Sequence, residues 1–136
     1  MKSESFWHIE ILKLLLNNQR VDVNYNKYSR TPFFIACYHG HIEIVKLLLN
    51  DERVDVNKTS ENDETPFYIA CQKEYIEIVK LLLNDERVNI NRARNDGWTG
   101  NGNDEPPFWI ACQEGYWRNR IYHSKWKGSE YKYKYI

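Results

Sequence analysis

The sequence has no apolar run of about 18 residues, so no segment reads as a membrane-crossing helix. It has no excess of charge either. Nineteen Lys and Arg face nineteen Asp and Glu, and nothing global draws the chain to nucleic acid or to an anionic membrane. Its opening, Met1 to Trp7, lacks the long apolar stretch and small-residue cleavage site of a secretory leader. The expectation is an intracellular, cytoplasmic location. There, three cysteines are poor material for a disulfide framework, and the sequon Asn57-Lys58-Thr59 carries little weight. Proline is scarce, with only four in 136 residues, and its placement is the first clue to order.

Pro32 and Pro66 each follow a Thr and open the same phrase. Thr31-Pro32-Phe33-Phe34-Ile35-Ala36-Cys37 returns 34 residues later as Thr65-Pro66-Phe67-Tyr68-Ile69-Ala70-Cys71, and then, after 41, as Pro107-Phe108-Trp109-Ile110-Ala111-Cys112. Ile42 to Asn50, Ile-Glu-Ile-Val-Lys-Leu-Leu-Leu-Asn, recurs unchanged at Ile76 to Asn84 and nearly so at Ile9 to Asn17. Periods of this size mark solenoids. Each unit reads as two short helices. The Thr caps the first by accepting an unpaired N–H, and Pro fits the first helical position. Gly40 ends that helix in the left-handed conformation. The second helix carries Ile42, Val45, Leu48 and Leu49 on one face. A polar loop, Asn50 to Asn57, leads on to the next unit. Such a unit cannot bury its apolar face alone and must stack.

Over about residues 8–115 these phrases, with Gly40-His41 before the second helix and Asp55-Val56-Asn57 after it, resemble the ankyrin repeat. The resemblance implies an all-α solenoid of stacked helix-turn-helix units joined by hairpin-like loops. The expected organisation is a partial unit at 1–30, full units at 31–64 and 65–98, and the start of a third at 99–115 with an insert at 100–106. A divergent tail follows at 116–136. The chain departs from the family at several places. Phe34, Tyr68 and Trp109 stand where it usually has His, which removes a polar link. Glu74 stands where Gly40 and Gly115 do. The turn Asn84 to Arg87 is one residue longer than the family norm.

Neither end reads as a cap. Aligning Ile9 with Ile42 puts Met1 at the position of Phe34, so the first unit lacks its Thr-Pro start and its second helix is expected to expose apolar surface. The N-terminus is accordingly expected to be cut from, or docked against, something larger. After Gly115, the expected Ile-Glu-Ile-Val-Lys gives way to Tyr116-Trp117-Arg118-Asn119-Arg120 and a tail with six Lys or Arg against Glu130 alone. A one-nucleotide frame shift across Trp126 to Tyr133 can restore Gly-Lys-x-Val-Asn-Ile-Asn, its Val 21 residues after Phe108, as Val88 is after Phe67. Around Trp117 the same shift permits Gly-Glu-Ile-Glu. The tail is thus expected to be an out-of-frame second helix, the least ordered part of the chain. Sequencing the gene across codons 110–120 decides the point.

Candidate chemistry is thin. Cys37, Cys71 and Cys112 occupy one position of successive units and read as small buried core residues rather than metal ligands. His39 and His41 flank Gly40, with His8 in register with His41, and no acidic or Cys partners sit at metal spacing. Gly97 to Gly102 follows no apolar strand and lacks the Lys of a phosphate loop. The expectation is no enzyme activity, cofactor, metal, small-molecule substrate or membrane contact.

By the resemblance, a partner protein binds the loop tips and first helices. Position by position these are Lys27, Tyr28 and Arg30; Glu61, Asn62 and Glu64; Asn95, Asp96 and Trp98; and, on the first helices, Tyr38, His39, Gln72, Lys73, Gln113 and Glu114. Tyr28, Tyr38 and Trp98 are the expected anchors. Two alternatives stand beside this. The chain is a fragment or frame-shifted copy of a longer array without independent function, or its basic aromatic tail binds nucleic acid.

Overall fold

A computed structural model describes residues 4–92 together with Pro107. The expectations for the insert, the tail and most of the third unit lie outside the described residues. Within them the regular elements are all helical: α1 (Glu4–Leu16), α2 (Pro32–His39), α3 (Ile42–Leu49), α4 (Pro66–Gln72) and α5 (Ile76–Leu83).

The local reasons for these helices are the expected ones. The Thr31 hydroxyl accepts the Phe34 N–H at 3.1 Å, and Thr65 accepts that of Tyr68 at 3.0 Å. Helix α2 stops at Gly40, whose φ is 74°; the His41 N–H reaches back to the Ala36 carbonyl at 2.9 Å. This is the paired-bond closure that favours Gly. Helix α4 closes in the same way, with the Tyr75 N–H on the Ala70 carbonyl at 3.1 Å, but there Glu74 takes the left-handed position at φ 61°. The Tyr75 ring fills the space beside Gly40, where a Cβ would come within 3.0 Å of it.

Helices α2 and α4 pack side by side, and each carries its second helix, α3 or α5, behind it. The core runs between them. Phe33, Phe34, Ala36 and Cys37 meet Val45 and Leu48; Phe67, Ile69 and Ala70 meet Ile78 and Leu82; and the loop residues Val23, Val54, Val56 and Val88 close the edges. Helix α1 packs on α3 as the second helix of an opening unit. It runs straight through Trp7, the position of Gly40, and among the described residues no first helix folds back on it. Repeat-equivalent residues measure the consequence. Leu48 and Leu82 are 2% and 0% exposed, whereas Leu15 is 46% exposed. Ile69 is 2% exposed and Ile35 40%. Among the described residues Ile35 has a first helix after it but none before it, so it is the preceding neighbour that buries this position.

Two polar ties join consecutive units. Arg53 is held by Asp51 through two bonds, Nε to Oδ1 at 3.0 Å and Nη2 to Oδ2 at 2.7 Å. It also donates at 2.7 Å to the carbonyl of Leu16, the last residue of α1. Arg87, gripped by Asp85, does the same to Leu49 at the end of α3, again at 2.7 Å. A cation thus caps the open carbonyls of the preceding unit's second helix. The second tie is a side-chain amide. Asn24 donates to the Arg53 carbonyl and accepts the Asp55 N–H, both at 2.7 Å; Asn57 repeats this on Arg87 and Asn89 at the same distances.

The packing generates a graded prediction. Leu48→Ala and Leu82→Ala each cost about 2–5 kcal/mol, while Leu15→Ala, with no first helix over it, costs less than about 1 kcal/mol. Urea denaturation midpoints measure this, and equal losses in all three variants contradict the placement. The ties generate another. Hydrogen bonds from Arg53 and Arg87 hold the Asp51 and Asp85 carboxyls below their usual value against an opposing desolvation. A carboxyl depressed in the folded state stabilises it above the unfolded pKa, and that contribution fades as pH falls through the folded value. Between about pH 5 and 3 the Asp51→Asn/Asp85→Asn protein should therefore lose less stability than the wild type. Parallel acid limbs in urea titrations would remove the ties from the account.

Candidate functional site

The tips of the units are strained turns. At the first, Lys27 and Arg30 exchange backbone hydrogen bonds at 3.3 and 3.1 Å, and the two residues between them, Tyr28 and Ser29, have φ of 56° and 57°. Two left-handed residues in a two-residue hairpin make the tight turn that normally uses Asn-Gly. Tyr28 occupies such a position and is 76% exposed, with the Lys27 ammonium 5.3 Å from its ring centre. The second tip has one more residue between its Asn and its Thr. The Ser60 N–H bonds the Glu64 carbonyl at 3.0 Å, and Asp63 takes the left-handed position at φ 57°. Glu61 and Asn62 are exposed there, as expected. Glu64 is not: it is buried. Its carbonyl is fixed to Ser60, and it leads directly into the buried Thr65 cap, which draws the residue inward.

On the first helices His39, Gln72 and Lys73 are exposed and Tyr38 is half-buried. Tyr38 is the centre of a group. Its ring lies 6.2 Å from that of Phe34 and 5.1 Å, edge-on, from His39. The Lys73 ammonium sits 4.4 Å from the ring centre and the Arg30 guanidinium 5.2 Å. The first tip, α2 and the end of α4 therefore converge on one tyrosine. Asn95, Asp96, Trp98, Gln113 and Glu114 lie outside the described residues. The opposite side carries exposed one-turn pairs, Glu43 with Lys46 at 3.3 Å and Glu77 with Lys80 at 3.4 Å, a kind that contributes little. Reading the sequence missed Arg53, Arg87, Asn24 and Asn57 as the residues that hold the units in place. Their recurrence at the spacing of the units was the available signal.

The family described as ankyrin repeats (3 copies) matches residues 3–60, and that described as ankyrin repeats (many copies) matches residues 43–83. No curated protein matches the chain. Among the described residues no helix is long and apolar enough to cross a membrane.

Among the described residues no three His, Cys, Asp or Glu gather as a metal site. The rings of His39 and His41 lie 5.8 Å apart beside the Gly40 turn. Burial pushes the Cys37 thiol up to about 12 and the Cys71 thiol up to about 11, so neither is a thiolate nucleophile at neutral pH. In a Cys112→Ser protein, both thiols should react with Ellman's reagent at least about tenfold more slowly in the folded state than in urea. Equal rates would show that the α2 and α4 positions are open.

Proposed function

This chain belongs to the ankyrin-repeat family, and we propose that it is a non-enzymatic module that holds another protein on the face built by its unit tips and first helices. Repeats of this family are in general protein–protein interaction modules. The observation that carries the reading for this chain is Tyr28. A bulky residue in the left-handed region stores strain, and the residue so held is 76% exposed. Packing within the chain gains little from that arrangement, whereas an aromatic anchor presented in a fixed place suits a partner.

Around it the proposed contact set is Lys27, Arg30, Tyr38, His39, Glu61, Asn62, Gln72 and Lys73, extended on sequence alone by Asn95, Asp96, Trp98, Gln113 and Glu114. An intracellular site of action belongs to the same proposal.

The test is affinity capture on the immobilised chain, with captured proteins quantified by mass spectrometry. Tyr28→Ala and Tyr38→Ala should each lower recovery of the specific partner about tenfold, as for aromatic anchors elsewhere, with the helical circular dichroism unchanged. Glu43→Ala and Lys80→Ala, on the opposite side, should leave it unchanged. The reverse pattern overturns the assignment of the face.

A further inference from the structure

Five basic residues among those whose side chains are described lie outside the ion pairs: Arg20, Lys27, Arg30, Lys58 and Lys73. Three of the five stand against the rings of Tyr28 and Tyr38. The ring quadrupole attracts each cation but does not neutralise it. Arg30 and Lys73 both lie within 5.2 Å of one ring centre, and neither forms an ion pair with a carboxylate of the described residues. The Arg30 Nε is buried without a hydrogen-bond partner, and no carbonyl or carboxylate of the described residues takes its terminal N–H groups.

We propose that the partner presents an acidic segment, and that a Glu or Asp side chain of it seats between Arg30 and Lys73 beside the Tyr38 ring. This rests on the reading of this face as protein-binding. Arg30 is placed in advance, because its backbone N–H and carbonyl are both tied to Lys27 across the strained turn. Lys73 closes α4, whose fixed packing on α2 sets its distance from Tyr38. A guanidinium and an ammonium drawn to one aromatic ring gain more from a carboxylate than exposed, mobile lysines do. The surface also has a direction. The second tip presents Glu61 in solvent, and its Asp63 is already engaged by Arg92 at 3.2 Å. The acidic part of a bound segment therefore lies toward the first tip.

Fluorescence anisotropy on the full chain tests this with a dye-labelled decapeptide alternating Glu and Ser and its Gln-for-Glu counterpart. At low ionic strength the Glu peptide should bind at least about tenfold more tightly, weakening as salt is added. Arg30→Gln and Lys73→Gln should each reduce binding by about threefold to tenfold, and Lys80→Gln should not. Lys73 is exposed at a helix end, so its variant folds even where Arg30→Gln costs stability. Equal binding of the two peptides, binding of neither, or indifference to Lys73→Gln overturns the proposal. So does a ten-residue oligothymidylate that binds more tightly than the Glu peptide, which would mean that the site reads phosphate. If the peptides fail while Tyr28→Ala and Tyr38→Ala still abolish capture, the face stands and only its charge preference falls.

Discussion

A helix of eight residues does not hold together in water, because nucleation costs more than so few hydrogen bonds return. Helices α2 to α5, each seven or eight residues long, therefore exist only by stacking. Everything else here follows from that dependence. The Thr caps and left-handed closures give each helix definite ends, and the buried stripe of Val45, Leu48, Ile78 and Leu82 supplies the energy. Where one neighbour is missing the same residue types are left in solvent, as Ile11, Leu14 and Leu15 are on α1. Stability in such a chain is a sum over interfaces, and the units inside carry the ones at the ends.

The strain is distributed unevenly. Of the four non-glycine residues at positive φ among the described residues, Tyr28, Ser29 and Asp63 sit in the tips and Glu74 in an inter-helix turn. Each tip is pinned at its base, by the Lys27–Arg30 pair or the Ser60–Glu64 pair, and runs into a buried Thr cap. The rigid part of the unit thus holds the tip in a conformation it would not choose. The aromatic and basic groups of the proposed face are fixed in space as a result, and ordering them on binding costs little entropy.

Much of this was legible in the sequence, for physical reasons that differ from residue to residue. Thr31, Thr65 and Gly40 act on backbone groups a few residues away, so local chemistry identifies them. The second-helix stripe is legible because a period of three or four says which side is covered, whatever covers it. Arg53 and Asn24 were harder. Their partners lie 37 and 29 residues away, and a polar loop residue does not announce which carbonyl it will meet. The Tyr38 group was invisible for the same reason, since Arg30 and Lys73 belong to different units. Glu64 reads as a tip residue by position, but its backbone is drawn in by the cap that follows.

The Arg and Asn ties have a consequence for how such a chain can change length. Each tie leaves one unit and ends on the next, and the donor and acceptor sets are the same at both junctions. A tandem duplication of one whole unit would therefore recreate both ties at the new junction with no further substitution, and deletion of a whole unit would rejoin the flanking ones equally well. An insertion of a few residues in a second helix would shift the carbonyls that Arg53 or Arg87 reaches and break the tie. Gene-level change in copy number thus leaves the junctions of this architecture intact, while small insertions are tolerated chiefly at the tips, where the two described units already differ by one residue.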